Sequence, residues 1–447
     1  MRFNNKFFIS VITIILLLIF QEKFNKLEFP EYRVMLDPGH GGKAYGNKSK
    51  HGDRYDVLSQ KYLAHFDYGV RYKNLEEHAI VYSIALKVKN ILDLSLPGGD
   101  FVKFKNIINR FTDENPGRII IKSKLSRIDS RIKISGADPN GPFRLYDYPG
   151  AGGQMLYGRI SRINAFKPHL VVSLHLDYRP PAHFQGINPV ITAPYSLLEK
   201  GLKYLKGEIK DKAFFYKSGY TDWFIESTKR TDFRWFLKDV SVYFTGYPVD
   251  NFIKMVPEGF SGYRNNMVMW KYRDLPGWEI PAFNHSSGTR YSLNYNDISL
   301  QGRFWDRERS HYEKFRREEG EEGFGGDNLY ACREIIRYIL FSLDLKKIRH
   351  HTQKLGNPYI SVWSVPLLVN AVAAFIELGY LYKNPDRLIL TKKQDEIAEG
   401  IAVGIYSLLA GLKPKEAKFK YPPKGKRVDL EKYLINSEKD YFNDVLQ

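Results

Sequence analysis

Cysteine is almost missing from this chain. Its 447 residues include one, Cys332, which excludes an intrachain disulfide and any metal site built from several thiolates. The chain also lacks the Cys and His spacing of zinc fingers and the signature of an RNA-recognition domain, so we expect no nucleic-acid partner. Cys332 lies in an apolar helical pattern, where it is expected to be a small core residue.

Acidic residues are in the minority. The sequence has 68 Lys and Arg against 50 Asp and Glu, a formal net charge of +18. Such an excess favours a polyanionic partner, either nucleic acid, anionic lipid or an acidic cell-wall polymer. Charge alone does not choose among the three.

Long apolar runs are also scarce. The run from Phe7 to Phe20 has about 14 residues, short of the roughly 20 that span a bilayer. Arg2 and Lys6 precede it, which is typical of a secretory signal, although no A-x-A cleavage pattern follows. We predict that residues 1–29 are a signal peptide or an N-terminal membrane anchor. The protein is then exported to the periplasm or cell envelope.

Apolar strands and amphipathic helices alternate from Glu31 onwards. The stretch "HLVVSLHLD" is continuously apolar, as in a sheet covered on both faces. A helix with a regular apolar stripe is predicted to begin at Glu77. The last helix has a buried stripe and a capping-box pair, Thr391 and Gln394. The fold class is therefore α/β, with a central mostly parallel twisted sheet flanked by helices.

Amino-acid composition and apolar pattern change along the chain and divide it into regions. Residues 30–177 and 360–412 have the α/β pattern and are predicted to form one catalytic core in two parts. Residues 178–359 are rich in Tyr, Phe, Trp and charge. Because a structureless loop of that length is improbable in a compact domain, we predict a large inserted subdomain there. Residues 413–447 are a polar C-terminal tail.

Three residues combine into a candidate metal site. His40 follows a strand in "LDPGHGG", where the glycines are expected to let a metal approach. His175 lies near the end of a second strand, and Glu77 opens a helix. Two histidines and one carboxylate are the protein ligands of an open zinc site. Taken singly, each has an ordinary interpretation as a surface or core histidine or as an acid at a helix N-terminus.

Glu377 is the candidate catalytic base. It ends the apolar stretch "AVAAFIE", where an unpaired buried carboxylate would be costly. A nearby cation would explain its presence, and a salt bridge within the core is the alternative.

Five segments, in this order, resemble the zinc-dependent N-acetylmuramoyl-L-alanine amidases of the amidase type 3 family, which cut bacterial peptidoglycan. They are "LDPGHGG", "EHAIVYSIALKV", "NRFTD" with Arg110 and Asp113, "RISRINAFKPHLVVSLHLD" with Asn164, and "FIELGYLYKNPDRL". Two insertions, residues 178–359 and the smaller stretch "KAYGNKSKHGDRYDVLSQKYLAHFDYGVRY" after His40, are longer than is usual in the family, and one extra residue precedes Asn384.

The resemblance implies a substrate and residue roles. It implies hydrolysis of the amide between N-acetylmuramic acid and L-alanine, with one Zn²⁺ per chain held by His40, Glu77 and His175 and with Glu377 as catalytic residue. Peptidoglycan would then be the partner. A zinc carboxypeptidase or deacetylase acting on another envelope substrate, or a non-catalytic wall-binding protein, remain alternatives.

The insertion 178–359 has several interpretations. It can be a substrate-binding lid or the core of a subdomain, with the tryptophans Trp223, Trp235, Trp270, Trp278 and Trp305. Some members of the family carry a blocking helix over the zinc that a partner displaces. The segment with Glu318, Glu319, Glu321 and Glu322 can be such a helix, relieved by an activator protein, or a solvated charge run.

Overall fold

The computed structural model describes residues 29–42, 52–56, 61–64, 66–127, 140–150, 152–177, 186–193, 195–216, 231–245, 324–352, 355, 358–361, 365–369, 371–416 and 418–430. No helix within these ranges combines the length and the apolar composition that crossing a bilayer requires. The apolar run of residues 7–20 lies outside them, so the anchor or signal peptide stays a prediction.

Twelve strands and ten α-helices are present in the described ranges. The strands are β1 (Glu31–Pro38), β2 (Asp53–Asp56), β3 (Lys61–Ala64), β4 (Arg71–Tyr72), β5 (Leu75–Glu76), β6 (Ile120–Leu125), β7 (Tyr148–Pro149), β8 (Met155–Leu156), β9 (Leu170–Asp177), β10 (Asn188–Thr192), β11 (Tyr359–Ser361) and β12 (Val372–Tyr380). The helices are α1 (Glu77–Asp93), α2 (Phe101–Ile108), α3 (Arg159–Phe166), α4 (Tyr195–Leu205), α5 (Ala213–Tyr216), α6 (Phe233–Thr245), α7 (Phe324–Leu345), α8 (Val365–Leu368), α9 (Asn384–Lys392) and α10 (Gln394–Ala410). A 3₁₀ turn covers Gly141–Phe143.

The central sheet has six strands in the order β11-β10-β12-β9-β1-β6. Strands β6, β1, β9 and β12 run parallel, while β10 is antiparallel to β12 and parallel to β11. This confirms the predicted mostly parallel α/β sheet. Because the carboxyl ends of β1, β9 and β12 meet at one edge, residues far apart in the chain converge there.

Both faces of the sheet are covered by apolar layers. Leu36, Leu174 and Ile376 point into one cluster, whereas Met35 and Val171 point into the other. This alternation follows from the two-residue period of a strand. Every residue of β9 except Asp177 is buried, as the apolar sequence of this strand predicts.

The helices α1, α7 and α10 form the layer on one face. Helix α1 begins at Glu77, as predicted. Helix α10 packs between α1 and α7, and α7 also packs against β12. Cys332 of α7 is fully buried, and its Sγ donates to the carbonyl of Phe375. Burial raises the pKa of the Cys332 thiol to about 12, which agrees with a core residue rather than a reactive thiol.

The predicted capping box is wrong. Helix α9 runs through Thr391, so the hydroxyl of Thr391 donates to the Arg387 carbonyl one turn back (2.7 Å). The N-cap of α10 is Lys393, and it makes no side-chain cap bond. The buried stripe of α10 is confirmed, since Ile397, Ile401, Ile405 and Leu408 are all inaccessible to solvent.

The range 178–359 contributes to the central architecture. Strand β10 lies in the main sheet, and α7 lies in the helical layer. Many of the other residues in this range, including 246–323, lie outside the described ones. The separate subdomain and the blocking helix with Glu318 to Glu322 therefore stay predictions.

The first part of the predicted tail 413–447 packs against the core. The main-chain N–H groups of Lys424 and Gly425 donate to the carboxylate of Glu334 on α7, at 2.8 and 2.6 Å. Val428 and Leu430 are buried in the apolar cluster. Although the tail is polar in composition, residues 424–430 therefore belong to the packed structure.

Gly400 is where α10 touches the backbone of α7. A Cβ at this position would lie 2.4 Å from the Cα of Ile339. Gly400→Ala is expected to destabilise the fold by up to about 2 kcal/mol, because overpacking of up to about 3 kcal/mol exceeds the roughly 1 kcal/mol of added helix propensity. Urea unfolding measures this change.

Gly117→Ala is the matched control, because the nearest atom to its new Cβ would be 3.9 Å away. Its stability should stay within about 0.5 kcal/mol of the parent. An unchanged Gly400→Ala protein would contradict the close approach of the two helices.

Candidate metal centre

His40, Glu77 and His175 meet at the carboxyl edge of the sheet. One ligand atom from each lies within 4.8 Å of the other two. His175 Nδ1 is 3.3 Å and His40 Nε2 is 3.7 Å from the same oxygen, Glu77 Oε1. The two imidazole rings meet edge to face with centroids 4.8 Å apart. The structure thus brings together the three residues that the sequence predicts as ligands, and this cluster can hold a metal.

Two main-chain N–H groups hold the carboxylate of Glu77. The N–H of Val70 donates to its Oε2 (2.8 Å), and the N–H of Leu176 donates to its Oε1 (2.9 Å). Burial acts to raise the pKa of Glu77, but the charge of His40 and the hydrogen bond from His175 lower the pKa to about 2. The carboxylate is therefore ionised and held in one orientation.

His40 has a strained backbone and an oriented ring. Its φ of +55° lies in the left-handed region, which is uncommon for residues other than glycine. Its Nδ1 faces Asp67, 3.3 Å from the carbonyl and 3.5 Å from the carboxylate. Burial acts to lower the pKa of His40, but the charges of Glu77 and Asp67 raise it. A histidine whose second nitrogen is held in this way is typical of metal sites.

His175 is buried against the strand next to its own. Its ring stacks on Phe375, with centroids 4.3 Å apart and planes inclined by 15°. Burial lowers the pKa of His175, which favours the neutral imidazole that binds metals. Its Nε2 is buried and has no hydrogen-bond partner among the described residues. The nitrogen that faces Glu77 Oε1, and with it the centre of the cluster, is Nδ1 (3.3 Å).

Gly39 and Gly69 make room for the cluster. A Cβ on Gly39 would lie 2.3 Å from the ring of His175. A Cβ on Gly69, whose φ is +88°, would lie 2.7 Å from His40 Cβ and 2.8 Å from Glu77 Oε2. The glycine before His40 therefore admits the ring of a second cluster residue, whereas the sequence predicts that it admits the metal itself.

Glu377 lies on β12 directly opposite His175 of β9, with Asn188 of β10 on its other side. Its Oε2 is buried and has no hydrogen-bond partner within the described ranges. Burial raises the pKa of Glu377 well above its usual value, and the charges of Asp177 and Glu77 add to this effect. The predicted base is thus a carboxyl group that can hold a proton beside the cluster.

Asp37 anchors the end of β1 below His40. Its fully buried carboxylate forms an ion pair with Arg159 at 3.0 Å and accepts hydrogen bonds from Ser126 and Ser173. Burial acts to raise the pKa of Asp37, but Arg159 and the two hydroxyl groups lower it. The network joins β1 to β9, to α3 and to the end of β6.

Comparison with known proteins finds distant structural likeness only. No family model and no curated protein matches the sequence. Solved N-acetylmuramyl-L-alanine amidases from Mycobacterium smegmatis and Mycobacterium abscessus are each 12% identical at a TM-score of 0.34, covering 84% of this chain and 94% and 96% of theirs. An amidase from Clostridioides difficile in complex with a lipoprotein is 12% identical at a TM-score of 0.31, covering 84% of this chain and 96% of its own. The function has to be argued from the site.

Some residues that the resemblance singles out have other partners. Arg110 pairs with Glu399 on α10 (2.8 Å), and Asp113 pairs with Lys415 (3.5 Å). Asn164 is buried on α3.

The tryptophans of the lid hypothesis are described only in part. Trp235 on α6 is 64% exposed, while Trp223, Trp270, Trp278 and Trp305 lie outside the described residues. The lid hypothesis therefore stays a prediction.

Sequence reasoning misses Arg127 and Asp67. Asp67 lies in a loop that no pattern connects with His40. Arg127 follows β6, the edge strand beside β1, and a basic residue just past a half-buried strand is the one available signal.

Proposed function

We propose that this protein is a zinc-dependent N-acetylmuramoyl-L-alanine amidase, which hydrolyses the amide bond between N-acetylmuramic acid and L-alanine in peptidoglycan. The observation that carries the proposal is the convergence of His40, Glu77 and His175 with Glu377 opposite His175. The substrate class comes from the motifs that these residues occupy. The ordinary interpretations of these residues, an acid at a helix N-terminus and two core histidines, do not explain why the three meet.

The donor set fits zinc. Ligand atoms of a tetrahedral zinc with bonds of about 2.1 Å lie roughly 3.4 Å apart. The separations from Glu77 Oε1 to His175 Nδ1 and to His40 Nε2 are 3.3 and 3.7 Å, and all three ligand atoms lie within 4.8 Å of one another. We propose one Zn²⁺ per chain, held by His40, Glu77 and His175. When bound, zinc supplies a Lewis acid that polarises the amide carbonyl and lowers the pKa of a water molecule to about 7.

Glu377 is proposed to move the proton. With a cation bound beside it to favour its ionised form, the Glu377 carboxylate would take a proton from the attacking water and deliver it to the leaving nitrogen of L-alanine, so that a stem peptide is freed from its glycan strand. Glu77 stays ionised throughout, because main-chain donors and the histidines hold its charge. The ion pair of Asp37 and Arg159 keeps the end of β1 rigid below His40.

The proposal also covers the charge of the substrate, the export of the protein and an activator partner. Peptidoglycan carries carboxylates, which complement the net charge of +18. A cell-wall substrate requires export, to which the signal-like N-terminal segment is suited. An activator protein acting on residues 178–359 is part of the hypothesis.

Incubating the purified protein with peptidoglycan tests the proposed function. We expect new L-alanine amino termini, loss of the activity on treatment with a chelator, and recovery with zinc but not with magnesium. Released C-terminal residues or acetate would indicate a carboxypeptidase or deacetylase instead. Binding without any product would indicate a non-catalytic wall-binding protein.

A further inference from the structure

Arg127 contacts the loop that carries His40 and the helix that begins at Glu77. It lies just after β6 and is fully buried. Its Nε donates to the Pro38 carbonyl (2.8 Å), and its Nη2 donates to the carbonyls of Gly39 (3.3 Å) and His78 (2.8 Å). Three main-chain oxygens from two distant segments thus meet one guanidinium group.

The positions of these carbonyl groups matter more than their number. Pro38 and Gly39 immediately precede His40, and His78 immediately follows Glu77. Arg127 therefore joins the segments that supply two of the three cluster residues. The third is connected through Gly39, whose N–H donates to the Leu174 carbonyl (2.8 Å), next to His175.

The side chain of Arg127 is itself held in place. The rings of Tyr82 and Phe143 lie 5.2 and 5.6 Å from its guanidinium carbon. The N–H of Ser126 donates to the Leu36 carbonyl, so the main chain before Arg127 is tied to β1. A guanidinium presents its donors in a rigid planar fork, whereas the ammonium of lysine is a single point on a flexible stem.

We propose that Arg127 is a positioning residue of the metal centre and that it sets the separation between His40 and Glu77. This inference rests on the proposed zinc site and goes beyond it, because Arg127 is not one of the proposed ligands and contacts the main chain beside two of them. Arg127 supports the two segments through the planar fork of its guanidinium donors, so the positive charge of another side chain does not replace Arg127.

The zinc affinity of Arg127→Lys and Arg127→Met tests the proposal. Both should bind zinc about 10–100-fold more weakly than the parent chain, the usual cost of losing a group that orients metal ligands. Competition with a chromophoric chelator gives the dissociation constant. The visible absorption spectrum of the Co²⁺-substituted protein should change in both variants, because the ligands are displaced. Wild-type affinity and an unchanged spectrum in Arg127→Met would overturn the inference.

Arg337→Lys is the control. Arg337 is a mostly buried arginine of α7, and its guanidinium pairs with Glu334 on the same helix (3.1 Å). The variant should lose thermal stability while its zinc affinity stays within about twofold of the parent, as expected for an independent site. An equal loss of affinity in Arg337→Lys, at an equal loss of stability, would mean that general loosening explains the effect.

If the Arg127 variants do not fold, Tyr82→Leu tests the inference instead. It removes one ring from the guanidinium and leaves Arg127 in place, so zinc affinity should fall by less than in Arg127→Lys but measurably. Unchanged affinity in Tyr82→Leu would then overturn the inference. A parent chain that binds no zinc would instead refute the proposed function, which is a different result.

Discussion

Glu377→Gln is expected to keep one zinc per chain and to lose roughly 10²–10⁴-fold in kcat, the usual contribution of a general acid–base group. Glutamine has the shape of the protonated carboxyl but cannot accept the proton of the attacking water. Because burial favours the neutral form of Glu377, the substitution should not lower stability. Metal analysis by mass spectrometry and turnover of a defined muropeptide measure the two effects separately.

Asp177→Asn is the matched control for this variant. Asp177 ends β9 at the same edge of the sheet, and its charge acts on Glu377. Asp177→Asn removes a neighbouring carboxylate but leaves the proposed base in place, so kcat should fall far less. Turnover within tenfold of the parent in Glu377→Gln, or an equal loss in Asp177→Asn, would remove Glu377 from the mechanism.

Glu77→Gln should lose zinc. We expect an affinity loss of more than about 100-fold, above the range for residues that only support ligands. The amide must also turn its NH₂ group towards the N–H of either Val70 or Leu176, both of which now donate to the carboxylate. An unsatisfied buried donor costs about 1–3 kcal/mol, so stability should fall as well. Thermal unfolding with and without zinc measures both, since a ligand that binds the native state raises the midpoint.

Glu76→Gln provides a control one residue away. Glu76 is 38% exposed in its side chain and pairs with Arg71 (3.1 Å) and His78 (2.8 Å), not with the cluster. Its variant should bind zinc as the parent does and show the same rise in midpoint. Loss of zinc in Glu76→Gln with retention in Glu77→Gln would move the ligand assignment by one residue and contradict the geometry of the cluster.

The cluster could be predicted because its signals are local. A histidine on a glycine turn after an apolar strand, a second histidine near a strand end and an acid at a helix start can each be seen in a short window. Parallel strands then bring such positions to one edge. The α/β sheet could be predicted for the same reason, since five of the eight residues of β9 are apolar.

Arg127 and the capping box show where local patterns fail. The role of Arg127 depends on β6 pairing with β1, a contact between segments about 90 residues apart. The resemblance pointed to Arg110, which pairs with Glu399 instead. Thr391 and Gln394 have the spacing of a cap, but α9 ends so close to α10 that Thr391 bonds back into its own helix.

The contact between Glu334 and the main chain of residues 424 and 425 affects how the protein can be shortened. A truncation at residue 412, where the amidase-like pattern stops, would strip two N–H donors from a fully buried carboxylate. It would also uncover the apolar surface beneath Val428 and Leu430. A minimal folded fragment should therefore extend at least to Leu430.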